Sequence, residues 1–137
     1  MLESFCKEKL GPLFLRLALG SFCAYHGYLK IMASGGTAWY PSLPVAWQVF
    51  LSWGEFTAGI AILLGFRCRL AAILIVALTT GTLLWFQGWH VFRLSWQNLE
   101  QPLLLLLSTL ALLLLGAGDL SLDSRRGMKP SAVRRTK

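Results

Sequence analysis

From Pro102 to Gly118 the chain reads PLLLLLSTLALLLLGAG. A helix built from this run has no polar side to offer water, so it must lie in a protein core or in lipid. Residues 12–32, 44–65 and 70–89 are nearly as apolar. With 99–118 they make four segments, each long enough to cross a bilayer, which takes roughly 20 apolar residues. The chain of 137 residues is 55% hydrophobic and 14% charged, against about 25% charged in a soluble domain. In lipid the backbone must satisfy its own hydrogen bonds, and leucine-rich runs without alternation do so as helices. The expected fold is all-α: an integral membrane four-helix bundle over residues 1–123, then a basic tail at 124–137.

A cleavable leader is the competing reading of the N-terminus, because Lys7 and Lys9 precede an apolar stretch. That stretch is too long for the apolar core of a signal peptide, and no A-x-A site follows it. The first helix is therefore expected to stay in the mature protein.

The charges orient the helices. Lys7 and Lys9 precede the first span, and Arg67 and Arg69 lie between the second and third. Arg125, Arg126, Lys129, Arg134, Arg135 and Lys137 follow the fourth. Lys30 and Arg93 are the only bases near the other two connections. The positive-inside rule places both termini and the short turn in the cytoplasm, and an even number of spans agrees with it. The formal charge of +7 thus belongs mainly to a tail, which reads as disordered or lying on anionic headgroups. It does not describe a nucleic-acid-binding face.

Aromatic residues crowd the opposite side. Trp39, Trp47, Trp85, Trp89 and Trp96 fall in or beside the two longer loops, with Tyr25, Tyr28 and Tyr40. Interfacial anchoring accounts for such a belt. The sharper reading is an aromatic-lined pocket under the loops, with Tyr25, Tyr28, Trp47, Trp85 and Trp89 as its candidates. The three cysteines, Cys6, Cys23 and Cys68, form no C-x-x-C pair and read as structural thiols.

Charged groups inside spans are costly and mark either function or paired structure. At 100° per residue, Arg16, Gly20, Cys23, Gly27 and Lys30 share one stripe of the first helix, with His26 at its edge. The small residues on that stripe let a neighbouring helix approach closely. Arg16 and Lys30 lie at its two ends, from which either can snorkel. Glu55 sits about 15 Å from either interface, too deep for that. Gln48, Ser52, Glu55 and Gly59 follow helical spacing on one inward face. Glu55 is then either protonated or paired with a base. Its depth matches that of His26 on the adjacent helix, which points to a His26–Glu55 contact with Lys30 one turn above. His90 and Glu100, beside the other loop, complete a set of polar candidates with Arg16, His26, Lys30 and Glu55. Asn98 or Gln101 is expected to cap the fourth helix, with Pro102 in its first turn. The two histidines lie at different depths, which disfavours a shared haem. No metal-binding motif, Gly-rich phosphate loop or nucleophile–base pattern is present.

LFLRLALGSFCAYHGYLKI, GEFTAGIAILLGFRCRLAA and GDLSLD together resemble the DoxX family of small four-helix bacterial membrane proteins, over residues 12–123. The resemblance implies a multi-pass protein of the bacterial cytoplasmic (inner) membrane. Arg16, His26, Gly27, Lys30 and Glu55 occupy the family's characteristic polar positions. It also implies association with membrane redox systems. The function expected is a redox-associated subunit that binds a quinone or similar small amphipathic ligand, alongside partner proteins of a redox complex. A small proton-coupled transporter and a non-enzymatic structural partner, self-association included, are the alternatives. The chain has no externally placed cysteine pair, so thiol exchange by the protein itself is not expected.

Overall fold

The computed structural model describes residues 10–33, 43–87, 96–118 and 120–125, without the side chains of residues 86, 87, 96–99 and 125. Regular structure among them is helical. Four long helices, α1 (Gly11–Met32), α2 (Val45–Leu64), α3 (Cys68–Gln87) and α4 (Trp96–Leu115), are followed by a single turn, α5 (Leu122–Arg125). Each long helix packs on the next, and α4 returns to α1. Leu19, Cys23, Ala58, Ile62, Cys68, Ala71, Ile75 and Leu112 form the core between them. The outward faces are also apolar: Phe14, Trp53, Leu70, Ile73, Leu84, Leu104, Leu107 and Leu114 are all exposed. A soluble monomer rarely presents that much contiguous apolar surface. Among the described residues, α2 and the Cys68–Trp85 portion of α3 are each long and apolar enough to cross a membrane.

The α1–α2 contact is made through glycines. A Cβ added to Gly59 would lie 2.3 Å from the Ala24 nitrogen, and one on Gly27 would lie 2.4 Å from the Phe56 nitrogen. The two backbones therefore touch, and this approach fixes which turns of α1 and α2 face each other.

The helix ends are closed by specific contacts. At the start of α2, the buried Gln48 donates from Nε2 to the Leu43 carbonyl at 2.7 Å. At its end Gly65 is left-handed, with φ of 67°. Its N–H donates to the Ile62 carbonyl, and the Phe66 N–H donates to that of Ala61, the paired closure that a left-handed residue after a helix permits. Helix α4 begins at Trp96, earlier than the sequence suggests. Gln101 and Pro102 accordingly lie inside it rather than at its cap and first turn. A proline at that position removes one i→i−4 bond, that to the Asn98 carbonyl.

One end of the molecule is held by two side chains. Arg16 is buried at 3% exposure. Its Nε and Nη2 donate to the Ile62 and Leu63 carbonyls, both at 3.1 Å. Its Nη1 donates to the Ala117 and Leu120 carbonyls at 2.9 and 3.0 Å. The guanidinium thus ties carbonyls at the C-terminal end of α2, where the helix dipole is negative, to carbonyls of the segment that follows α4. It does not snorkel. Asp123 answers at the neighbouring N-terminus. Its carboxylate accepts the Arg67 and Cys68 N–H groups of the α3 start at 2.7 and 2.8 Å, and its own N–H donates to the Gly65 carbonyl at 3.0 Å. An N-cap supplied from 55 residues away is invisible to local pattern reading. Asp123→Ala is expected to cost about 1–2 kcal/mol, the usual loss for a helix cap. Thermal unfolding in detergent would measure it, with Asp123→Asn falling between the variant and the wild type.

Candidate functional site

At the opposite end, all four long helices enclose a cavity of about 240 Å³. Helix α1 contributes Phe22, His26 and Lys30, spaced at one turn, and α2 contributes Leu51 and Glu55. Helix α3 adds Ile75, Leu78, Thr79 and Thr82, and α4 adds Gln101, Pro102 and Leu105. The polar groups thus come from every helix and converge on one space. The apolar residues form the remaining walls.

Lys30 and Glu55 form an ion pair across the α1–α2 contact. Their side chains are 26% and 12% exposed, so the pair is largely removed from solvent. Pairing makes a carboxylate tolerable where little solvent reaches it, while an isolated one is costly there. The close glycine approach of α1 to α2 brings the lysine within reach. Depth alone pairs Glu55 with His26. In the structure Glu55 takes Lys30 instead: the glycine contacts set Glu55 level with Tyr28, midway between His26 and Lys30, and His26 turns to Gln101.

His26 faces across the cavity. Its Nε2 lies 3.3 Å from the Gln101 amide nitrogen, which joins α1 to α4. Its ring stacks on Phe22 at 4.3 Å between centroids, tilted by 35°. Tyr25 meets it edge-on at 6.1 Å. Two rings and an amide hold the imidazole in place. On α3, the Thr82 hydroxyl donates to the Thr79 carbonyl at 2.8 Å, which leaves its oxygen lone pairs directed elsewhere. The lining therefore offers an ammonium donor, a carboxylate acceptor, an imidazole, an amide and hydroxyls. The ion pair nearly cancels its own charge, so this arrangement suits a polar but uncharged group.

A second cavity of about 350 Å³ lies between α2 and α3. Trp47, Phe50, Leu74, Gly81 and Trp85 line it together with Leu43 and Ala77. It shares Leu51, Leu78 and Thr82 with the first.

The predicted residues thus separate. His26, Lys30 and Glu55 come together in the polar cavity, and Trp47 and Trp85 line the apolar one. Arg16 is about 21 Å along α1 from Lys30, at 1.5 Å per residue, and belongs to the clamp at the other end. Tyr25 and Tyr28 are 60% and 47% exposed and line neither cavity. Glu100 is exposed and also outside both. Trp89 and His90 lie outside the described residues, as do Trp39, Tyr40 and the tail from residue 126. Sequence reasoning missed Thr79, Thr82 and the role of Gln101. The threonines sit in TTGT, a polar break in an apolar helix, which is the signal that would have found them.

The family model described as DoxX matches residues 11–88, more than half of the chain. The match takes in α1, α2 and α3, and with them every cavity residue except those of α4. No curated protein and no solved structure matches the chain.

Proposed function

Because the chain belongs to the DoxX family, we propose that this membrane protein is a quinone-binding subunit of a redox system in the bacterial cytoplasmic membrane. All four long helices cross the bilayer, with the Arg16 clamp on the cytoplasmic side and the cavity in the outer half. The positive residues beside the clamp, Arg67 and Arg69 in the tight turn, support that orientation.

The observation that carries the reading is the set of paired groups around one small cavity: Lys30 with Glu55, and His26 with Gln101. A quinone presents two carbonyl acceptors, and its reduced form presents two hydroxyl donors. Lys30 serves the first, Glu55 the second, and His26 either. These groups can take up or release the protons that accompany reduction and oxidation of the bound ring. Electrons would come from a partner, since the lining offers hydrogen-bonding and proton-transfer groups and the core cysteines line neither cavity.

Titration of purified protein with a water-soluble benzoquinol, kept reduced and followed by intrinsic fluorescence or calorimetry, tests this. Saturable binding is expected. Glu55→Gln should weaken it about tenfold, matching the loss of one charged hydrogen bond of about 1.5 kcal/mol. Equally weak, non-saturating signals in wild type and variant would overturn the reading.

A further inference from the structure

The two cavities differ in kind and meet along one seam. The first gathers the ion pair, the imidazole and the amide. The second is apolar, and its one hydroxyl is that of Thr82, which stands with Leu51 and Leu78 on the wall common to both. Trp47, Phe50 and Trp85, on the outer margin of the second, are 55%, 52% and 56% exposed. The apolar space therefore opens sideways between α2 and α3, toward the surroundings of the helices. Trp47 and Phe50 meet edge to face at 6.0 Å between centroids, which gives that margin a firm wall. On the α3 side a glycine leaves room. A Cβ placed on Gly81 would meet nothing within 4 Å.

We propose that the ligand is an amphiphile with one long apolar chain, its polar head between Lys30 and His26 and its chain leaving past Thr82 along the α2–α3 groove. The inference rests on the quinone-head reading and deepens it. It names a lipid-soluble, tailed substrate class and a lateral route of entry from the bilayer. Relative to lipid, the chain gains little by transfer from one apolar medium to another. The groove acts instead by fitting and directing the chain, so that the head arrives in one orientation. A protein serving a small water-soluble compound would need the polar cavity alone.

Gly81→Leu is the discriminating variant. It fills the groove without meeting any neighbour at Cβ, and leucine is the better helix former. The probes are one benzoquinol head with and without a decyl chain, kept reduced and titrated against protein in the same detergent. Gly81→Leu should weaken the decyl compound about tenfold, the scale on which one misplaced methylene is felt in an apolar pocket, and leave the tailless compound unchanged. Glu55→Gln should weaken both. If both compounds bind and Gly81→Leu affects them alike, or not at all, the tail assignment is wrong and the headgroup reading stands. If neither compound binds the wild type, both fall together.

Discussion

Arg16→Met is expected to destabilise the protein by about 5 kcal/mol and to abolish a defined melting transition in mild detergent. The estimate follows from what the guanidinium does. It donates four hydrogen bonds, to Ile62, Leu63, Ala117 and Leu120. The Ile62 carbonyl keeps a second donor, the Gly65 N–H. The other three lose a charged donor in a place from which water is largely excluded, at about 1–3 kcal/mol for each unsatisfied group. Arg16→Lys should recover less than half of the loss. A single ammonium cannot span carbonyls of the α2 end and of the segment after α4 as a planar fork does. A melting curve for Arg16→Met matching the wild type would show that the clamp contributes nothing.

Gly59→Leu should cost about 3 kcal/mol or more and should remove binding of the proposed quinone ligand even where folded protein is recovered. The added Cβ would fall 2.3 Å from the Ala24 nitrogen, 2.8 Å from the Ala24 Cα and 2.9 Å from the Cys23 carbonyl carbon. These atoms belong to the backbone, so no side-chain rotation relieves the clash and α1 must move away from α2. Overpacking of this kind typically costs about 1–3 kcal/mol, and more where backbone must shift. The same displacement separates Lys30 from Glu55, since each rides on one of the two helices. Gly81→Leu is the matched control for melting and for the tailless compound: the same substitution, with open space around it. Melting temperature and titration with the tailless compound on both variants check the pair of expectations. Equal behaviour of the two would mean that the glycine contact is not what sets the α1–α2 distance.

What could be read in the residues, and what could not, divides along physical lines. Apolar length needs no partner to be recognised, so the chain's all-helical character follows from runs such as PLLLLLSTLALLLLGAG. The inward face of α2 is also a one-helix property. Gln48 and Ser52 are fully enclosed where helical spacing places them. Pairings between helices are another matter. The choice between His26 and Lys30 as the partner of Glu55 turns on the reach of a four-carbon stem and the rotation of α1, which two glycines set. Spacing along one helix carries neither. Gln101 reads locally as a cap, yet Trp96 already belongs to the helix and the amide is free to meet His26. Arg16 and Asp123 are the extreme case. Their partners lie 46 to 104 and 55 to 56 residues away, and each binds backbone groups, which every sequence has.

The clamp also has a bearing on biogenesis. Arg16 is among the first residues of the described chain to be synthesised, and two of its four acceptors, Ala117 and Leu120, are among the last. Asp123 closes the α2–α3 turn from the same late segment. During synthesis α1, α2 and α3 therefore hold a guanidinium with only its two α2 acceptors, and an uncapped α3 start, until the segment after α4 has been made. The latch closes last, from the segment most distant in sequence.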